Sequence, residues 1–193
     1  MAGDDDLEIL PFASGEAWER WLREHHETAP GVWIRFAKKA SGVPTVTYLE
    51  ALHVALRFGW IDGQARGVDE RFYVQRFTPR RARSIWSKRN RDFATALIEA
   101  GKMEPAGLRE VERAKADGRW DAAYDAPSTA SVPEDLQAAL DREPAAAAFF
   151  AGLSSQNRYA ILHRIQTAKR PETRARRIET FVAMLAAGET LYP

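Results

Sequence analysis

Residues 57–91 read RFGWIDGQARGVDERFYVQRFTPRRARSIWSKRNR, and this stretch decides the fold of the first half of the chain. Two β-prone runs, Trp60 to Val68 and Arg71 to Phe77, flank the polar pair Asp69-Glu70, which predicts a hairpin. Pro79 has no amide to donate to a ladder and should end the second strand. A helix should follow, capped by Ser84 or Ser87 and running to about Ala100, with Gly101 as a left-handed stop. The stretch is also the charge centre of the molecule. It holds 10 Lys/Arg against 3 Asp/Glu, in a chain whose formal net charge is only +1.

Outward from the hairpin, short strands and capped helices alternate. Ser14 can cap a helix from about Glu16 to His26 that places Trp18, Trp21, Leu22 and His25 on one face. Pro30-Gly31 breaks it, and Val32–Phe36 reads as a strand. Residues 1–10 read as a loose acidic lead, and Ala40–Pro44 as a loop. Thr47-x-x-Glu50 is a capping box for a helix that ends at Gly59, with Leu49, Leu52 and Leu56 inward. Pro105 suits the first turn of a helix ending near Asp117-Gly118. Residues 119–132, rich in Ala, Asp, Ser and Thr, read as a linker. From Pro133 onward the pattern is helical, at about 134–141, 144–151, 155–168 and 172–187. The expected architecture is α+β: a domain over 1–118 with a small sheet and flanking helices, the linker, and a helical bundle over 133–193.

Composition narrows the function classes. The 193 residues are 45% apolar and 28% charged, as in a soluble globular protein. With no Cys there are no disulfides, thiolate metal sites or cysteine nucleophile. The acidic start MAGDDDLEIL does not read as a secretory signal, and no run reaches the roughly 18 apolar residues of a membrane-spanning helix. The expectation is a cytoplasmic protein with no membrane insertion. His25, His26, His53 and His163 show no metal-ligand spacing. The phosphate loop, the nucleophile elbow, the dinucleotide fingerprint and the zinc-protease helix are absent. No cofactor, metal or catalytic residue is expected.

The candidate site centres on Gly59-Trp60-Ile61-Asp62-Gly63 and on the run from Arg76 to Asn90. Arginine forks beside flat aromatic faces suit an anionic, partly planar partner. Arg76, Arg80 and Arg81 would pair with negative charge. Trp60 or Trp86 would stack on a flat group, and Ser84, Ser87 and Asn90 would orient it. Asp62 could align an arginine or take a proton. Against this stands a plainer reading: a core strand followed by a solvated basic loop with ordinary serine caps. A second basic patch, Lys169-Arg170 with Arg174, Arg176 and Arg177, reads more readily as the polar face of a helix, with Glu172 in ion-pair reach of Arg176 and Arg177.

Five ordered motifs carry a resemblance. GWIDG (59–63), RFTPRRARSIWSKRN (76–90), GKMEPAG (101–107), AKADGRW (114–120) and AKRPETRARRI (168–178) look like the YdeI/OmpD-associated family, also called bacteriocin-protection proteins. The similarity spans roughly Trp33 to Gly188. It implies a bacterial, cytoplasmic protein concerned with bacteriocin tolerance or envelope stress, and supplies no catalytic residues. Positions matching the motif core are Lys38, Trp60, Asp62, Gly63, Arg76, Pro79, Arg80, Ser84, Trp86, Ser87 and Asn90. The reading reached is a non-enzymatic protein binding an anionic, phosphate-bearing small molecule or nucleotide. Two alternatives stand beside it: nucleic-acid binding through the basic-aromatic run, and an enzyme with Asp62 as general acid/base.

Overall fold

The computed structural model describes residues 7–193. The chain is mixed α+β and divides into two compact units, one comprising residues up to Trp86 with Asn90–Ala122, the other Ser87–Arg89 with Ala123–Pro193.

The first unit is built on a four-stranded sheet. Strands β1 (Ile9–Pro11), β2 (Val32–Ala37), β3 (Trp60–Gly67) and β4 (Phe72–Pro79) lie in the order β1-β2-β4-β3. The hairpin forms as expected. Asp69 Oδ1 closes its turn by accepting from the amides of Arg71 and Phe72 at 2.7 and 2.8 Å. Strand β1 corrects the expectation of a loose lead over residues 1–10, of which 1–6 lie outside the described residues. Ile9–Pro11 pairs parallel to Trp33–Arg35. Within the expected loop, Lys39–Ser41 forms one turn of 3₁₀ helix.

Helices α1 (Gly15–His25) and α2 (Tyr48–Arg57) cover one face of the sheet. Their N-termini are satisfied as the sequence requires: Ser14 Oγ accepts from the Ala17 amide, and Thr47 and Glu50 form the capping box. Trp18, Leu22, Ala51, Val54, Ala55 and Phe58 pack there against Val32, Ile34, Phe36, Trp60 and Phe77. The two buried indoles in this core have polar partners: Trp18 Nε1 donates to Ala51 O and Trp60 Nε1 to His26 O, both at 3.1 Å. Leu49, expected inward, is 51% exposed. The capping box turns that position outward while Leu52 and Leu56 are buried.

Helices α3 (Lys88–Glu99) and α4 (Pro105–Ala116) follow. The start of α4 is laid against the end of α2. The Glu104 amide donates to Arg57 O at 3.1 Å, and Arg57 Nε to Lys102 O at 2.8 Å. Arg57 also pairs with Glu19 at 2.6 Å and Glu104 at 3.3 Å. Its hydrogen bond to Glu19 holds that carboxyl below the usual carboxylate range, against the upward push of burial.

The second unit contains helices α5 (Glu134–Asp141), α6 (Pro144–Ala151), α7 (Ser155–Gln166) and α8 (Pro171–Ala186), and no strand lies between Pro133 and Ala187. Three of the four starts have a local sequence reason: Ser154 caps α7, and Pro144 and Pro171 occupy first turns. Leu136, Leu140, Phe150, Ile161, Leu162, Ile165, Ile178, Phe181 and Leu185 form its core. The stretch expected as a linker carries no helix or named strand, but it is not loose. Arg119 and Ala123 are buried. Asp125 receives hydrogen bonds from Lys88 and Gln166 and is held below its usual pKa range, Lys88 being the main cause. Among all described residues, no helix is long and apolar enough to cross a membrane.

Two arginines of the second basic patch are structural, while Lys169, Arg170 and Arg176 are exposed. Arg174 grips Asp135 at 2.6 and 2.8 Å and donates to Ile165 O at 3.0 Å, while Arg177 donates to Arg164 O. Two guanidinium groups thus satisfy carbonyls in the last turn of α7, where positive charge is favoured. Arg174 is also the main cause of the depressed Asp135 pKa. Stabilisation from such a carboxylate is present above the unfolded pKa of about 3.9 and lost as pH falls through the lower folded value. Asp135→Asn should therefore flatten the acid limb of the second unit's stability, read as circular-dichroism melting temperature between pH 5 and pH 2. An acid limb of unchanged steepness would remove Asp135 from this role.

Candidate functional site

Strand alternation divides the candidate residues between the two faces of the hairpin. Asp62 lies opposite Phe77 and Trp60 opposite Pro79, on the side of α1 and α2. Trp60 is 1% exposed, with Trp18 and Trp21 edge-on to its ring at 6.0 and 5.8 Å. Its ring is committed to the core and offers a ligand no open face. Asp62 joins a half-buried polar cluster: Tyr48 Oη donates to Oδ2 at 2.8 Å, and Gln75 Nε2 reaches the same oxygen at 3.4 Å and Gly63 O at 3.2 Å.

The opposite face carries Trp33, Arg35, Arg66, Phe72, Val74 and Arg76. Here Arg35 and Arg66 flank Val74 from β2 and β3, and Trp33 lies beside Arg76. With strands about 4.8 Å apart, the flanking arginine backbones lie about 10 Å from each other. Guanidinium groups lie over the rings: Arg66 is 3.9 Å from the Trp33 centroid, and Arg35 and Arg71 are 5.0 and 5.6 Å from that of Phe72. Between Asp62 and Ala65 the register shifts, so that Gly63 and Gln64 oppose Arg76. A Cβ on Gly63 would stand 3.0 Å from Arg76 Nε. With no Cβ at Gly63, the Arg76 side chain lies close over β3 without having to give way.

The ladder continues to Arg80, whose amide donates to Gly59 O at 2.9 Å. Alternation puts Arg80 on the Arg76 side. Its guanidinium carbon lies 3.5 Å from the Trp86 ring centroid, Nη1 donates to Ile85 O, and the residue is only 6% exposed. Trp86 packs edge-on against Trp120 at 4.9 Å, and Arg119 Nη1 donates to Ser84 O at 2.7 Å. The run 80–86 is therefore only partly solvated: Arg80 and Trp86 are buried, while Arg81 and Arg83 are exposed. Two buried arginines hold its carbonyls. Ser84 Oγ accepts from the Arg81 amide at 2.9 Å, closing a turn, and Arg81 itself is exposed.

The remaining candidates fall elsewhere. Helix α3 begins at Lys88, so Ser87, not Ser84, directly precedes it. Ser87 bridges to Tyr124 within the second unit. Asn90 is buried in the first turn of α3. Lys38 Nζ donates to Asp69 O at 2.8 Å, at the hairpin turn. Sequence reasoning passed over Arg35 and Arg66 as site residues, Tyr48 and Gln75 as partners of Asp62, and Arg119 as the partner of the Ser84 carbonyl. The i, i+2 spacing of Trp33 and Arg35 was the available signal for the first. Among the described residues no group of three His, Asp or Glu side chains is placed to hold a metal ion.

A small sheet backed by two helices, with a guanidinium-aromatic array on its other face, and a separate four-helix unit define a two-part α+β protein. Residues 10–110 match a domain of unknown function (DUF8412), and residues 129–188 match the family described as Bacteriocin-protection, YdeI or OmpD-Associated. The chain belongs to the family of that domain of unknown function, whose match covers over half of it, and its C-terminal part carries the YdeI/OmpD-associated family's segment. No curated protein matches the chain, and no solved structure does.

Proposed function

We propose that this is a non-enzymatic cytoplasmic protein that binds an anionic, phosphate-bearing ligand through its first unit, in the service of bacteriocin protection or envelope-stress tolerance. The observation that carries the reading is the array of Arg35, Arg66 and Arg76 across three adjacent strands, interleaved with Trp33 and Phe72. Guanidinium forks match phosphate geometry, and their stacking on rings orients them before a ligand arrives. The family match supports the biological setting. Arg81, exposed beyond the end of β4, extends the positive field.

Calorimetric titration of the full chain with ATP tests the binding. Arg35→Ala and Arg66→Ala should each weaken affinity about tenfold or more, since a charge-assisted hydrogen bond contributes about 1.5–3 kcal/mol. Both arginines are exposed, so melting temperatures should move little. Absence of saturable binding in the wild type, or equal affinity in both variants, would reject the site. The extension of the array over three strands also suits a single-stranded nucleic acid. That partner predicts an affinity for a short oligonucleotide that falls with salt, by about 0.7 logarithmic units per logarithmic unit of salt for each phosphate contacted.

A further inference from the structure

Helix α7 presents Ser155, Gln156, Tyr159, Ala160, His163 and Arg164 along one face, at helical spacing i, i+1, i+4, i+5, i+8, i+9. This face is one side of an open cavity of about 520 Å³, flanked by Pro127 and Tyr192. The size lies within the range of small-molecule sites. Its walls are fixed from behind. Tyr159 Oη donates to Asp125 O at 3.0 Å, and the His163 ring is held edge-on by Tyr124 at 4.7 Å. Tyr192 is pinned at two points by the buried amide of Asn157, which accepts from its N–H at 3.0 Å and donates to its carbonyl at 3.1 Å. The Arg164 guanidinium lies 5.7 Å from the Tyr192 centroid and reaches its hydroxyl at 3.3 Å.

One cationic side chain lines this cavity, and the Asp125 carboxylate lies behind Tyr159. That cation is Arg164, and no carboxylate is among the lining residues. The groove between α5 and α8, in contrast, mixes Asp135, Glu143 and Glu179 with Arg142 and Arg174. Burial, with Arg164 and Arg177 nearby, lowers the His163 pKa, so the imidazole is neutral at pH 7 and serves as a polar contact, not a second cation. Aromatic walls around a single cation select a flat ligand that carries one negative charge.

The geometry points to a binding site for a small aromatic monoanion in the second unit, its ring lodged among Tyr159, His163 and Tyr192 and its acid group against Arg164. This site does not depend on the phosphate-binding reading of the first unit.

Titration calorimetry of the full chain with 4-hydroxybenzoate tests it, with 4-hydroxybenzamide as a probe of similar shape and no charge. The acid should saturate one site and bind at least tenfold more tightly than the amide. Arg164→Gln should weaken the acid at least tenfold and bring the two probes level. Because that change also releases the Tyr192 hydroxyl, a second variant is needed. Ala160→Trp fills the cavity without altering charge and should abolish binding, with the helical circular-dichroism melt retained. No saturation by the acid, equal binding of acid and amide to the wild type, or undiminished binding in both variants would overturn the proposal.

Discussion

Gly107→Ala should destabilise the first unit by about 3 kcal/mol or more, beyond the usual 1–3 kcal/mol of overpacking. A Cβ at this position would stand 2.2 Å from the Arg57 carbonyl oxygen and 2.8 Å from its carbon. Both are backbone atoms at the end of α2 and cannot rotate away. Nor can α4 retreat cheaply, because the Glu104 amide is bonded to that same carbonyl. On the other side of the contact, Gly59 sits at φ 74° with the Ala106 carbonyl 3.0 Å from where its Cβ would be. The two glycines let two helix ends meet backbone to backbone. For a chain of this size the loss corresponds to a fall in melting temperature of about 6–12 °C. All six tryptophans, Trp18, Trp21, Trp33, Trp60, Trp86 and Trp120, lie in the first unit, so tryptophan fluorescence reads its unfolding alone. A shift of a degree or less would show that α4 repositions freely.

Arg80→Ala should cost about 3–5 kcal/mol in the same measurement, while its neighbour Arg81→Ala should stay within about 0.5 kcal/mol. Truncation at Arg80 removes a desolvated guanidinium from the Trp86 face, about 2 kcal/mol, and leaves the Ile85 carbonyl short of a donor, about 1–3 kcal/mol. Arg81 is exposed, and it is its backbone amide, which the substitution keeps, that meets Ser84. Arg80→Lys should recover only part of the loss, because an ammonium cannot lie flat over the indole. Equal effects at the two positions would return the loop to a solvated basic run.

That contrast shows where sequence reading reached its limit. Adjacent arginines in a Pro-punctuated basic run look alike in one dimension. What separates them is the end of a ladder, Arg80 N–H to Gly59 O, and an indole six residues on that takes the guanidinium out of water. Arg119 is still less legible, since its bond to Ser84 O spans 35 residues. The helices of the second unit were readable because their starts are written locally, in Ser154, Pro144 and Pro171. The three residues of β1 were not, because a short parallel pairing has no turn to announce it, and its partner lies over twenty residues away. The hairpin was legible from its alternation, but not its slipped register. That slip governs which residues stand beside Arg76, so the site could be listed by residue type and not sorted by face.

The order β1-β2-β4-β3 leaves two outer strands, and each is poorly suited to recruit another chain. Strand β1 has three residues and ends in Pro11, which offers no amide hydrogen to a newcomer. Strand β3 is interrupted midway by the Gly63–Gln64 bulge, which breaks the even row of donors and acceptors a templated strand needs. The irregularity beside which Arg76 lies close over the sheet thus also makes β3 a poor template for a neighbouring strand, and straightening β3 should favour strand-by-strand aggregation.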